Sequence, residues 1–127
     1  MSMKAIAALY SAIASIPPKA NLVTLNGNAI DFANTEENMI IFNPGVITDG
    51  VHTPSLQDSP DNVTWTNVLA NYQIGVLAPL ASNTVQKVAY IGPNRYVRPV
   101  ITVTGAPATG GVYSVNAMTK PRKQPAP

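Results

Sequence analysis

The sequence predicts an all-β fold, an antiparallel β-sandwich of Ig-like or jelly-roll-like type. Three observations predict it. From residue 21 onward apolar and polar residues alternate with a period near two, the spacing that puts successive side chains on opposite faces of a strand. Turn chemistry recurs roughly every 8–12 residues, as in Asn26-Gly27, Asn43-Pro44-Gly45 and Ser59-Pro60-Asp61-Asn62. Twelve prolines and eight glycines leave little room for long helices. A chain of 127 residues is room for one core. We divide it into an N-terminal amphipathic arm (1–19), a β-sandwich (20–119) and a basic, Pro-rich tail (120–127).

The arm has its own periodicity. Five alanines favour a helix, and Ile6, Leu9, Tyr10, Ile13 and Ile16 recur at steps of three or four along one face, until Pro17 and Pro18 stop it. The segment is therefore expected to be a helical or extended arm whose apolar stripe seeks a partner surface. Lys4 ahead of an apolar run and Ala12-Ile13-Ala14 give the outline of a secretory signal as the rival reading. Ser11 and Ser15 interrupt the run, which falls short of the roughly 20 apolar residues that span a bilayer.

Leu22, Val23 and Leu25 lead into Asn26-Gly27, and Ala29, Ile30 and Phe32 follow, the pattern of a first hairpin. Met39-Ile40-Ile41-Phe42 is a short continuous apolar run, which predicts a strand buried on both sides. Thr53–Asp58 and Val63–Val68 alternate on either side of Ser59-Pro60-Asp61-Asn62 and form a second hairpin, with Val63, Trp65 and Asn67 sharing a face. After a connection over 69–81, strands are expected at 84–91, 95–104 and 112–118. Pro99 lacks an N–H, so it demands an edge position or a bulge. Three prolines within residues 120–127 make the tail extended.

Composition narrows the chemistry. There is no Cys and a single His, which removes thiolate nucleophiles, disulfides and multi-histidine or sulfur-ligated metal sites. Charged residues are only 11%. Lys120, Arg122 and Lys123 in the tail carry the basic balance, leaving five cations and six anions on the body. A nucleic-acid binder would show a basic stripe with interleaved aromatics, and none occurs. Asp49 and His52 invite an acid–base pairing, but no Gly-x-Ser-x-Gly elbow surrounds Ser55. A His on a turn held by backbone is the plainer reading. Asp58 and Asp61 bracket Ser59-Pro60; an Asx-type turn is expected there, since a Ca²⁺ loop needs more oxygens at regular spacing. No catalytic, cofactor-binding or metal site is expected.

The residues also carry a resemblance. Thr48-Asp49-Gly50-Val51-His52-Thr53-Pro54, then Leu56-Gln57-Asp58-Ser59 and Thr64-Trp65-Thr66-Asn67-Val68, form one block. Tyr90-Ile91-Gly92-Pro93-Asn94-Arg95-Tyr96-Val97-Arg98-Pro99 with Val103-Thr104-Gly105 forms another, and Pro121-Arg122 closes the pattern. Over residues 21–122 the chain resembles a group of small virion proteins of tailed bacteriophages encoded among the head genes. It departs from them at Pro93 and at Thr119-Lys120. The resemblance implies a non-enzymatic capsid decoration or cement protein on the capsid exterior, assembled in the host bacterial cytoplasm. The implied partners are the major capsid protein and further copies of the chain, with neither nucleic acid nor membrane. The expected contacts are Ile6, Leu9, Tyr10, Ile13 and Ile16 on the arm and Lys120, Arg122 and Lys123 on the tail. The alternatives are a virion-associated module that recognises a host surface or carbohydrate, and a tail or neck component built on the same sandwich.

Overall fold

The structure is a computed structural model that describes residues 10–121. Ten strands follow one another: β1 (Ser11–Asn21), β2 (Leu25–Asn26), β3 (Ile30–Asp31), β4 (Thr35–Ile47), β5 (Val51–Ser59), β6 (Thr66–Asn67), β7 (Gln73–Ile74), β8 (Gln86–Tyr90), β9 (Tyr96–Thr104) and β10 (Gly111–Pro121). A 3₁₀ turn over Ala70–Tyr72 precedes β7. One sheet has the order β1-β10-β4-β8-β7; the other has β2-β9-β5-β6, with β3 also on β9. All pairings are antiparallel.

The pairing is nested. β1 pairs with β10, β2 and β3 with β9, β4 with β8, and β5 with β6, as in one long hairpin. Rolling that hairpin brings β10 against β4 and β9 against β5, which splits it into two facing sheets. This is the jelly-roll form of the predicted sandwich rather than the Ig-like one, whose sheets join strands in a different order.

The core lies between the sheets. Ile40 and Phe42 of β4, Val115 and Ala117 of β10 and Val88 of β8 meet Leu56 of β5 and Val97 and Ile101 of β9, all at most 2% exposed. Alternation along each strand supplies these residues, and the predicted strands at 84–91, 95–104 and 112–118 correspond to β8, β9 and β10. The second hairpin is β5–β6, with Gln57 opposite Asn67 and Asp58 opposite Thr66, but its second strand is only Thr66–Asn67: Val63, Thr64 and Trp65, expected in it, belong to the connection, where the Asp61 turn holds the backbone.

Corrections fall on three regions: the arm and tail that flank the sandwich, the first hairpin, and the apolar run of β4. From Ser11 the segment is strand β1, not helix. An isolated helix of this length is marginal in water, whereas β10 offers a full row of backbone partners, so long-range pairing overrides the alanines. The extended alternative therefore holds for Ser11–Asn21, and the sheet begins inside the predicted arm. Pro17 and Pro18 are accommodated because β1 is an edge strand whose register on β10 shifts between Ile16 and Lys19. Likewise Thr119 to Pro121 continue β10, so the tail starts later than predicted.

The first hairpin does not form. β2 and β3 both lie on β9, where Asn26 faces Val100 and Ile30 faces Val97, so one extra residue bulges between them. Gly27 sits at that bulge and its N–H donates to the Pro99 carbonyl at 2.7 Å. A Cβ on Gly27 would collide with Ser15 and the Pro99 ring. The bulge is also the irregularity that Pro99 requires, since its nitrogen faces this interrupted edge. The third correction concerns Met39-Ile40-Ile41-Phe42. Ile40 and Phe42 are fully buried, but Met39 and Ile41 are only half-buried, because the second face of their sheet carries no further layer among the described residues.

Candidate functional site

The polar candidates are held by the fold itself. His52 is fully buried; its Nε2 lies 3.0 Å from the Asp49 backbone carbonyl and its Nδ1 3.2 Å from the Tyr113 hydroxyl. Tyr113 packs edge-on to the imidazole, and burial pushes its hydroxyl up to about 12. The Asp49 carboxylate turns the other way and accepts N–H bonds from Gly110, Ala108 and Thr109. Those donors, Gly110 foremost, hold it below the usual carboxylate range. Asp49 thus ties the β4–β5 turn to the loop before β10. Ser55, half-buried, points its hydroxyl toward the Val100 carbonyl at 3.5 Å. The three side chains share no hydrogen bond.

Asp58 is buried and receives the Tyr90 hydroxyl at 2.6 Å and the Thr66 hydroxyl at 3.2 Å. Burial first, and this bond second, raise the Tyr90 hydroxyl well above its ordinary value. Asp61 accepts from the N–H groups of Thr64 and Val63 and from the Ser59 hydroxyl, the predicted Asx-type turn. Among the described residues no three His, Asp or Glu side chains cluster as metal ligands. Of the aromatic residues, Tyr90 and Tyr113 are buried, Tyr90 with its ring 6.1 Å from that of Phe32, while Arg98 lies 4.3 Å over the Trp65 ring and Arg95 lies 5.0 Å over Tyr96.

The apolar candidates behave differently. Register in the first sheet places Ala12 beside Met118, Met118 beside Met39, Met39 beside Ala89, and Ala89 beside Ile74. Their chain neighbours Ile40, Val88 and Ala117 point into the core, so alternation puts this row on the outside. At about 4.8 Å per strand the row crosses roughly 19 Å without one charged side chain. Ala14, Asn116, Ile41 and Lys87 form the next row. Sequence reasoning missed this face because it assigned Met39 and Ile41 to a second buried side.

One end of the row deepens into an open groove of about 520 Å³, with walls of Tyr10, Met39, Ile74, Ala89, Tyr90 and Ile91. Glu37 and Asn38 add its polar atoms. Tyr10 reaches over β10 to donate its hydroxyl to Glu37 at 2.9 Å, which, with the carboxylate charge, raises the Tyr10 hydroxyl above its ordinary value. Lys120 sits 3.6 Å from Glu37 and 3.9 Å from Glu36. Glu37 holds φ at +56°, a left-handed conformation that costs a side-chain-bearing residue roughly 1–2 kcal/mol. The Asn38 side-chain oxygen is buried and, among the described residues, is the one such atom without a hydrogen-bond partner.

The predicted contact residues divide accordingly. Tyr10 is half-buried against the groove and Ile13 is 36% exposed at the β1 edge. Ile16 is corrected to a core residue at 1% exposure, because β1 turns it inward opposite Val115. Lys120 is corrected from tail to strand, where it is paired with acidic neighbours. Ile6, Leu9, Arg122 and Lys123 lie outside the described residues. Comparison with protein-family models and with curated proteins finds no match to this chain.

Proposed function

We propose that the chain is a capsid decoration or cement protein, a non-enzymatic virion component that binds the outer surface of a capsid and stabilises the shell. The major capsid protein is its partner. The observation that carries this reading is the uncharged outer row Ala12, Met118, Met39, Ala89 and Ile74, which runs across a whole sheet and is covered by no further layer among the described residues. A face of this kind has little polar surface to desolvate, so contact with a second apolar surface is favourable over its full width. The resemblance of residues 21–122 to head-gene products supplies the setting. The groups that carry acid–base chemistry elsewhere are here engaged in turns and in the core, which fits a molecule that works by adhesion. Recognition of carbohydrate calls for open aromatic faces, and the rings of Trp65 and Tyr96 are each stacked by an arginine.

The test is sedimentation of the purified chain with undecorated bacteriophage shells, followed by heating. Binding and a higher shell-disruption temperature are expected, and both should be lost in Met39→Glu. Shells that neither retain the protein nor gain heat resistance, while tails or necks do retain it, would move the chain to the tail or neck alternative.

A further inference from the structure

The side of the sandwich between the β6 and β7 edges is free of charge, and we infer that it is the contact surface of a twofold dimer of this chain. The inference goes beyond the decoration reading and does not depend on it.

Residues 62–86 run from the turn after β5 to the start of β8 and contain no Asp, Glu, Lys, Arg or His. The usual quarter of charged residues would place about six in that length, and this chain's own 11% about three. Most of the segment is exposed among the described residues, where charge normally gathers. Backbone bonds lay it along one side of the fold. The Val68 and Leu80 N–H groups donate to the Leu56 and His52 carbonyls of β5, and the Asn83 N–H donates to the Gly45 carbonyl of β4. Val68, Tyr72 and Leu77 pack against the core, which leaves Leu69, Val76 and Val85 outward, each more than half exposed and Val76 94% exposed. Val76 also lines an open groove of about 650 Å³, together with Val68, Leu77 and the amides of Gln57, Asn67 and Gln73. No charged side chain is among its walls.

This chemistry selects a second copy as the occupant. Across a twofold axis a surface meets itself, so a charged residue near the axis faces its own like charge. A charge-free face escapes that repulsion. A different protein would impose no such condition, because opposite charges can then be matched across the contact. Amides are self-complementary, each carrying donors and an acceptor, and Gln57 already donates to the Asn67 side chain at 3.2 Å within the chain. The exposed Leu69, Val76 and Val85 supply apolar contact beside them. The segment also has the right size, since a stable interface of ordinary area takes roughly 20–30 residues from each side. Every residue of this surface is described, and β1 stands at the opposite edge of the sheet from β7.

Sedimentation velocity on the full chain over a concentration series tests this. A reversible dimer is expected as the end point, with the same association at about 0.05 and 0.5 M salt because no ion pair crosses the contact. Val76→Asp should weaken association about a hundredfold, roughly tenfold for each of the two copies of the change in a dimer. Leu69→Asp should act in the same direction, and both should melt as the parent does at dilutions where the parent too is monomeric. Met39→Glu, on the outer row, should associate like the parent. The salt series is a readout that does not depend on any variant folding. A chain that stays monomeric at millimolar concentration overturns the inference, as do open-ended growth beyond the dimer, association that fades with salt, or a Val76→Asp chain that associates like the parent. Loss of shell retention in Val76→Asp, with the parent monomeric throughout, gives this surface to the capsid protein instead and leaves the decoration reading standing. A dimer that ignores shells removes that reading alone.

Discussion

The two faces of β4 differ in what covers them, not in what they are made of. Ile40 and Phe42 on one side and Met39 and Ile41 on the other are all large apolar residues in consecutive positions. The first pair meets the opposing sheet and is fully buried; the second pair lies under no third layer among the described residues and stays half-exposed. An apolar strand face is therefore a core only when another element closes on it. Where none does, the same chemistry stays partly exposed and is available for contact with a second surface.

Phe42→Ala attacks the closed face and should have the largest effect. Removing a fully buried aromatic leaves a cavity in the centre of the sandwich, and a loss of about 3–5 kcal/mol is expected, measured by urea unfolding. Acidification is the second probe, directed at the turns that hold the strands in register. Asp31 is brought down to about 2 by its bond from Arg95, and Asp49 and Asp61 are lowered mainly by the Gly110 and Thr64 N–H groups. All three carboxyls lie lower in the folded chain than in the unfolded one. The stability they contribute is thus present above the unfolded carboxyl value near 4 and lost as pH falls through the folded values, about 2 for Asp31. Thermal melts should be nearly flat from pH 7 to 5 and fall below 4, and Asp49→Asn should flatten the lower limb. Ile41→Lys probes the open face and should have the smallest effect on folding, within about 1 kcal/mol by the same urea titration, while reducing binding to shells. Equal stability losses for Phe42→Ala and Ile41→Lys would mean that both faces are covered in solution.

Particular residues mark how far the chain could be read. Gln57 and Asp58 pair with Asn67 and Thr66 across a turn whose residues announce it, so the existence of that hairpin was legible, while its second strand proved shorter than the alternation over 63–68 suggested. Asn26-Gly27 carries an equally good hairpin signal and instead marks a bulge, because β2 and β3 each find β9 before they find one another. The apolar groove was invisible in advance: Tyr10, Met39, Ile74 and Ile91 come from four separate stretches of chain. Of the arm residues named from periodicity, Tyr10 reached that site, whereas Ile16 went to the core.

The sequence by itself determined an all-β chain, the places where most of its strands start and stop, and the poverty of reactive side chains. Those features depend on period, turn chemistry and composition, which are local. Tertiary structure alone decided that Ser11–Asn21 pairs with β10, that the nested hairpin rolls into two sheets, and that no other described element covers one face of β4. Each of these depends on which distant strand reaches a given backbone edge or apolar face first, and no local pattern encodes that competition.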